Sequence, residues 1–317
     1  MKVVFLDAST IDRADLDFTP LRAFGSLTLH QVTPPDKVGE RIADADIVIT
    51  NKALVTRDAL ANATKVRLVV SAATGVNQID LEACKDRGVT VCNVAGYSTE
   101  GVAQHTFALL LNLVTAVDRY SASIAQDWPA SPIFTRLDHP VTELAGKTLG
   151  IVGFGSIGQA VARIGTAFGM KVVAYARNES APDAAVPRVA GDAFFSTCDV
   201  ISLHCPLTPQ TERFINRVSL ALMKPDSLLI NTGRGPLIDD HALADALRHG
   251  EIGGAALDVL SVEPPPKNHP LLATDIPNLL ITPHTAWTSQ EARQRLLAGV
   301  IADIRAFLDG RPIHHIV

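Results

Sequence analysis

The sequence predicts an α/β protein built on two parallel sheets. Short apolar runs recur along the chain and alternate with stretches of helical periodicity, the pattern of strands joined by crossover helices. One junction, Gly153-Phe154-Gly155-Ser156-Ile157-Gly158, places the spacing G-x-G-x-x-G between an apolar run and a helical stretch. A length of 317 residues also favours two domains over one.

The first sheet is read from Val3 to Leu6, Asp46 to Thr50, Val66 to Ser71 and Val89 to Val94. These strands make the first part of the chain an α/β layer without a dinucleotide fingerprint of its own. After Ser71 comes Ala72-Ala73-Thr74-Gly75-Val76-Asn77, a glycine turn at a strand end. The backbone amides of Val76 and Asn77 there can form an anion nest for a substrate carboxylate. An ordinary strand-to-helix turn is an equal reading of the same residues.

Thr99 reads as the N-cap of a long helix starting near Gly101. Val102, Thr106, Leu109, Leu110 and Leu113 keep helical spacing to about Tyr120. His105 falls within this apolar helix and reads as a packed or hydrogen-bonded histidine, not a ligand. Trp128 to Pro140 is irregular and proline-rich, a connector or a partner-contacting segment.

The second sheet is read from Thr148 to Val152, Lys171 to Tyr175, Asp199 to His204, Ser227 to Asn231, Ala255 to Val259 and Asn278 to Thr282. A helix from Gln159 to Phe168 follows its first strand. The last helix, Ser289 to Leu308, is expected to fold back on the first domain, with no further domain after it.

The glycine motif carries a physical mechanism. Gly153 makes the tight turn, Gly155 lets the backbone approach a pyrophosphate, and Gly158 lets helix and strand pack closely. The helix N-terminus then presents free N–H groups to the phosphates. Its place between strand and helix makes it far more specific than the spacing alone.

Composition narrows the function classes. A formal charge of −5 with 5% aromatic residues argues against nucleic-acid binding. No basic run suggests an anionic membrane surface. No apolar run reaches membrane-spanning length, and the N-terminus is charged too early for a signal peptide. Cys84, Cys92, Cys198 and Cys205 show neither C-x-x-C nor zinc-ligand spacing. Reduced thiols in a cytoplasmic protein without a metal site are the expectation.

In a doubly wound sheet, ligands bind beyond the carboxyl ends of the strands. Three strands of the second sheet lead there into a candidate catalytic group: Arg234 in Asn231-Thr232-Gly233-Arg234-Gly235, Glu263 in Glu263-Pro264-Pro265, and His284 in Thr282-Pro283-His284. Taken singly, these suit a surface ion pair, a loop carboxylate and a strand-end cap. Together they suit hydride transfer to a carbonyl, whose oxygen needs a proton as it gains charge. Histidine matches that exchange near neutral pH. A carboxylate beside it keeps the imidazolium available. An arginine binds a carboxylate and polarises a carbonyl.

On these stretches the chain resembles the D-2-hydroxyacid dehydrogenases over essentially its whole length. The resemblance rests on Ser71 to Asn77, Val102-Ala103-Gln104-His105, Gly153 to Gly158, His204-Cys205-Pro206-Leu207-Thr208, Asn231 to Gly235, Ala256-Leu257-Asp258-Val259 and Thr282-Pro283-His284. Leu222-Met223-Lys224-Pro225, Glu263-Pro264-Pro265 and His284-Thr285-Ala286-Trp287 resemble the hydroxypyruvate reductase (glycerate dehydrogenase) branch most.

The resemblance implies two Rossmann-like domains with the active site in the cleft between them. Residues 1–97 and 285–317 would form a discontinuous substrate domain, and 98–284 the dinucleotide-binding domain. It implies Arg234, Glu263 and His284 as the catalytic set. It implies cofactor contacts from Gly153, Gly155, Ser156, Ile157, Gly158, Cys205, Pro206, Thr232, Gly233 and Asp258, with Asp258 near the nicotinamide amide. A homodimer with the long helix at its interface is also implied.

One departure bears on the cofactor. NAD-using members carry an acidic residue about twenty residues past the glycines, on the ribose 2′-hydroxyl. Here that position is Ala176, followed by Arg177. The absent carboxylate and the adjacent cation favour NADP(H) over NAD(H).

The substrate expected is a small 2-keto acid, hydroxypyruvate or glyoxylate, reduced to D-glycerate or glycolate. No Lys/Arg cluster lies near Thr74 to Asn77 to receive a substrate phosphate. Trp287, three residues beyond His284, can wall a small pocket, and a core or interface tryptophan is its plainer reading. The competing readings are a dinucleotide-sensing binding module of the same fold, which would need no Arg–Glu–His set, and a dehydrogenase of bulkier 2-hydroxy acids. Formate oxidation fits less well, having no hydroxyl proton to transfer.

Overall fold

The computed structural model describes residues 1–176 and 186–317. The chain forms two compact units. One comprises Met1–Ser98 with Trp287–Val317, the other Thr99–Ala286.

In the first unit, β1 (Lys2–Phe5), β2 (Ser26–Leu29), α1 (Val38–Ile42), β3 (Ile47–Thr50), α2 (Arg57–Ala61), β4 (Leu68–Ser71), α3 (Leu81–Asp86) and β5 (Thr90–Asn93) follow one another. Among the described residues the sheet has five strands, ordered β2-β1-β3-β4-β5 and all parallel. Parallel neighbours cannot be joined by hairpins, so helices cross over both faces. The strands are accordingly apolar on both sides. Val3 and Phe5 of β1 enter one core cluster and Val4 the other.

The second unit begins with α4 (Thr99–Thr115) and α5 (Val117–Asp127). The periodicity to Tyr120 predicts one helix, but the chain breaks at Ala116, which takes a left-handed φ of 51°. Asn112 makes the break tolerable: its Oδ1 accepts the Asp118 N–H at 3.1 Å at the start of the next helix. Then come β6 (Thr148–Val152), α6 (Ser156–Ala167), β7 (Lys171–Ala176), β8 (Arg188–Ala190), α7 (Gly191–Thr197), β9 (Val200–Leu203), α8 (Arg217–Ala221), β10 (Leu228–Asn231), α9 (Asp240–Arg248), β11 (Gly254–Leu257) and β12 (Leu279–Ile281).

The order of this sheet is β12-β11-β10-β9-β6-β7-β8, again parallel throughout. The strand order reverses between β6 and β9, the switch point where a doubly wound sheet opens a crevice. The helix α6 starts at Ser156, earlier than the apolar periodicity suggests, because Gln159 N–H already bonds to Gly155 O at 2.9 Å. The short strands β2 and β8 lack a fully apolar run, and the sequence pattern does not predict them. Leu229 of β10 enters the core on one face of the sheet and Ile230 the core on the other.

The chain then returns to the first unit as α10 (Gln290–Leu308). Leu296, Leu297, Val300 and Ile304 of α10 pack into the core that holds Phe5 and Val70. The approach is tight at Gly299, where a Cβ would lie 2.4 Å from Cγ1 and 3.1 Å from Cγ2 of Val94.

A Gly299→Ala substitution therefore sets two effects against each other. Helix propensity favours alanine by about 1 kcal/mol. Val94 is 3% exposed and, being β-branched, stiff at χ1, so it has little room to retreat. Overpacking of this kind costs about 1–3 kcal/mol. The variant is expected to be less stable than the parent, read as a lower urea midpoint at unchanged m-value.

Candidate active site

The carboxyl ends of the parallel strands in the second unit define one edge, and the sequence-singled residues there can be taken strand by strand. Gly153 follows β6 with φ 94°, and a Cβ on it would lie 2.4 Å from the Cys205 backbone nitrogen after β9. A side chain is excluded at this crossing of two strand ends. A Cβ on Gly158 would meet Gly153 O at 2.2 Å, so α6 can sit this close to the turn only with glycine there. Gly155 faces open space, with nothing within 4 Å of its Cβ position. It precedes α6 and supplies no side-chain cap. Ser156 is exposed and Ile157 half-buried.

These features fit a dinucleotide. The open glycine, the uncapped helix start and the exposed first turn leave backbone N–H groups to meet phosphate oxygens, aided by the helix dipole. Cys205 is half-buried and Pro206 exposed beside them. Thr232, after β10, is 8% exposed, and its hydroxyl lies 3.0 Å from that of Thr106 on α4. The adjacent Gly233 donates its N–H to Asn231 Oδ1 at 3.0 Å. Ala176 ends β7 without a carboxylate. Arg177 lies outside the described residues.

Asp258 follows β11 and is 1% exposed. Its carboxylate accepts the Thr282 hydroxyl at 2.6 Å and the backbone N–H groups of Thr285 and Ala286, both at 2.8 Å. His105 Nε2 stands 3.4 Å away and 3.0 Å from Thr282 Oγ1. Burial alone would raise this carboxyl, but hydrogen bonds from His105, Thr282, Ala286 and Thr285 outweigh it and hold the group below the usual carboxylate range. His105 is thus a hydrogen-bonded histidine.

Arg234, Glu263 and His284 come together. All three line one small cavity of about 160 Å³. Arg234 is half-buried, with Nη1 donating to Gly233 O at 2.8 Å, and the buried Asn231 ties the turn by donating to Arg234 O at 2.9 Å. Glu263 Oε1 accepts the Leu260 N–H at 3.0 Å, which aims Oε2 at His284 Nδ1, 2.6 Å away. A carboxylate on Nδ1 draws the ring proton there and leaves Nε2 for exchange.

The His284 backbone is held in the left-handed region at φ 56°. Its N–H bonds to Asp258 O at 2.8 Å and Thr282 O at 3.0 Å. Another histidine on this edge, His204 after β9, contacts the Ser202 hydroxyl through Nε2 at 2.8 Å. Burial of its ring pushes it down to about 4, so it stays neutral at working pH.

The remaining singled-out residues belong to the first unit. Val76 is half-buried and Asn77 exposed, in a turn fastened by Ser71 Oγ donating to Gly75 O at 2.7 Å and Asn93 Nδ2 donating to Thr74 O at 2.6 Å. Trp287 meets Tyr97 edge to face, ring centroids 6.2 Å apart, and packs against that unit's core. Among the described residues, no group of three or more metal-ligating side chains is found, and no helix is long and apolar enough to cross a membrane.

The four-fold bonding of Asp258 makes a prediction about stability. In Asp258→Asn, an amide NH2 replaces one acceptor and faces a backbone donor. A loss of about 1–3 kcal/mol is expected at neutral pH. Because the folded carboxyl lies below its ordinary value of 3.8, the parent's advantage is full above that value and is lost as pH falls through the folded one. Urea unfolding of both proteins at pH 7 and at acid pH should show the gap closing.

Comparison with known proteins places the chain in a family. Residues 107–286 match the family model for the D-isomer specific 2-hydroxyacid dehydrogenase NAD binding domain. The chain is 38% identical to a hydroxypyruvate reductase of Blautia hydrogenotrophica, covering 99% of each. It is 37% identical to a glycerate dehydrogenase of Methylorubrum extorquens, over 98% of this chain and 97% of that one. Among solved structures, the TT0316 protein from Thermus thermophilus superposes with a TM-score of 0.88 at 36% identity, over 100% of both chains. With a dinucleotide turn at the switch point and an arginine, a glutamate and a histidine around one cavity, the chain belongs to the D-isomer specific 2-hydroxyacid dehydrogenases, a family of oxidoreductases.

Proposed function

We propose that this protein reduces hydroxypyruvate and glyoxylate to D-glycerate and glycolate, using NADP(H) in preference to NAD(H). The observation that carries the chemistry is the Glu263–His284 pair, 2.6 Å apart, lining one cavity with Arg234. The names of the relatives, hydroxypyruvate reductase and glycerate dehydrogenase, support the choice of substrate.

When bound, the reduced nicotinamide supplies a hydride to the carbonyl carbon. The Arg234 guanidinium binds the substrate carboxylate and polarises the keto oxygen as charge develops. His284 gives that oxygen its proton from Nε2 and becomes a neutral imidazole. Glu263 holds Nδ1–H and stabilises the imidazolium beforehand. In oxidation, His284 takes the hydroxyl proton back. The amides of Val76 and Asn77 are proposed to bind the substrate carboxylate, and Trp287 to limit side-chain size.

Ala176 supports the NADP(H) preference, because no carboxylate at the end of β7 repels a 2′-phosphate. A homodimer is proposed as the assembled state. α5 buries none of its residues, and Trp128, Phe134 and Leu137 beyond it are 52%, 90% and 81% exposed, an apolar surface that a second copy would cover. A cytoplasmic location is supported by the cysteines. Three of them are buried, and burial pushes Cys84 up to about 11 and Cys92 and Cys198 to about 12, which keeps these thiols protonated.

His284→Ala is expected to lower kcat by about 10²–10⁴-fold while cofactor affinity stays near that of the parent. In the parent, reduction consumes a proton and oxidation releases one, so the rate should fall with rising pH in the first direction and rise in the second. Near-normal turnover in the variant, or the same pH profile in both directions, would remove His284 from the proton step.

Profiling purified protein tests the substrate and cofactor together. Values of kcat/KM are expected to favour NADPH over NADH, and hydroxypyruvate or glyoxylate over phenylpyruvate and 3-phosphohydroxypyruvate. A tenfold preference for a bulky or phosphorylated acid, about 1.4 kcal/mol of transition-state discrimination, would overturn the small-substrate reading.

A further inference from the structure

Glu263 sits on a segment that core packing does not hold. From Ser261 to Asn268 the chain has no regular structure, and most of it, including Glu263, is exposed. An exposed loop carboxylate normally samples many rotamers, and holding one against a partner costs side-chain entropy. Something must therefore fix the backbone on either side of Glu263.

Two fastenings flank it. Ser261, two residues before, donates its hydroxyl to Asp240 Oδ2. His269, six residues after, places Nε2 3.1 Å from the same oxygen. Asp240 opens α9, where the helix dipole favours a carboxylate, and its side chain is 10% exposed; that of His269 is 3% exposed. The ring's other nitrogen is committed: His269 Nδ1 accepts the Leu271 N–H at 3.3 Å. In the neutral ring the proton is therefore on Nε2, directed at Asp240. The Ser261 hydroxyl lies 3.5 Å from that same Nε2, so serine and carboxylate share one ring nitrogen. A nucleophile relay needs one nitrogen for each, so the cluster is a clamp and not a second catalytic centre. The loop also lies hard against the Arg234 turn. A Cβ on Gly235 would fall 1.9 Å from Leu260 O.

We propose that His269, with Asp240 and Ser261, is a positioning residue that fixes the loop so that Glu263 meets His284. The proposal rests on the reading of Glu263 as the partner of His284. Its contribution to rate comes through Glu263 alone, which separates it from a general stabilising role. A misplacement of about 1 Å at a catalytic group costs up to about a hundredfold in rate.

Four variants test it: Glu263→Gln, His269→Asn, His269→Gln and the double variant Glu263→Gln/His269→Asn. The asparagine keeps an acceptor for the Leu271 N–H but is too short to reach Asp240. The glutamine keeps an N–H donor at the longer reach. His269→Asn is expected to lower kcat about ten- to a hundredfold with little change in KM, and to move the pH profile of kcat in the same direction as Glu263→Gln. His269→Gln should recover most of the loss. In the Glu263→Gln background, His269→Asn should cost nothing further. If Glu263→Gln itself leaves kcat unchanged, the reading of Glu263 fails and the clamp falls with it. If Glu263→Gln slows the enzyme but His269→Asn does not, or if the two losses multiply in the double variant, the clamp alone is overturned. Should His269→Asn fail to fold, Ser261→Ala cuts the other fastening without touching the buried ring. A kcat loss that disappears in the Glu263→Gln background then supports the proposal, and no loss, or an equal loss in both backgrounds, overturns it.

Discussion

The parallel direction of the larger sheet is the constraint on which the rest of that unit depends. Parallel strands share one carboxyl edge, so every residue just past a strand end is delivered to the same side. The edge collects the glycine turn after β6, Cys205 after β9, Arg234 after β10, Asp258 and Glu263 after β11, and His284 after β12. Delivery to one edge also crowds it. The crowding shows where Gly153 passes the Cys205 nitrogen, and there the sequence has no freedom to carry a side chain.

Two residues of the proposed proton pathway are held by different means. The His284 backbone is strained, with φ 56° at a residue bearing a Cβ, a conformation that costs about 1–2 kcal/mol. Its N–H bonds to Asp258 O, while the Asp258 carboxylate binds Thr282 on one side of it and Thr285 and Ala286 on the other. Charge-assisted bonds of this kind are strong enough to offset the strain. One buried anion thus organises the turn, and His284 inherits its position from it. Glu263 is held by the Leu260 N–H on a loop that contacts α9.

Much of this is legible in the residues because the relevant signals are local. Each buried strand is a short apolar run, and Arg234 and His284 lie within three residues of such a run's end. The glycine motif is contiguous, and Gly153 and Gly158 answer to contacts within the same turn or at a neighbouring strand end, while Gly155 faces open space. What escapes is non-local or weak. The edge strands β2 and β8 are half-exposed, so no apolar run marks them. The break at Ala116 depends on an asparagine side chain capping the following helix, and helical periodicity runs straight through it. The His269–Asp240 contact joins residues 29 positions apart in chain number, and neither has a neighbourhood that names the other. Asp258 is visible as a strand-end carboxylate, but its role as a hub requires the positions of four donors.

The histidines show why residue type alone could not rank these candidates. His204 is apposed to a serine hydroxyl and has its proton affinity lowered by burial, so it is neutral at working pH. His105 hydrogen-bonds toward Thr282 and Asp258, its reactive nitrogen spent on structure. His269 has both nitrogens engaged, one by a backbone N–H and one by a carboxylate. His284 differs from all three: a carboxylate commits one nitrogen, the side chain remains 29% exposed, and the ring borders a cavity with an arginine. The fold sets the histidines apart by what their nitrogens meet and how much water reaches them. That distinction is set by side chains arriving from other strand ends, which is why the acid–base reading of His284 rests on the geometry of the whole carboxyl edge.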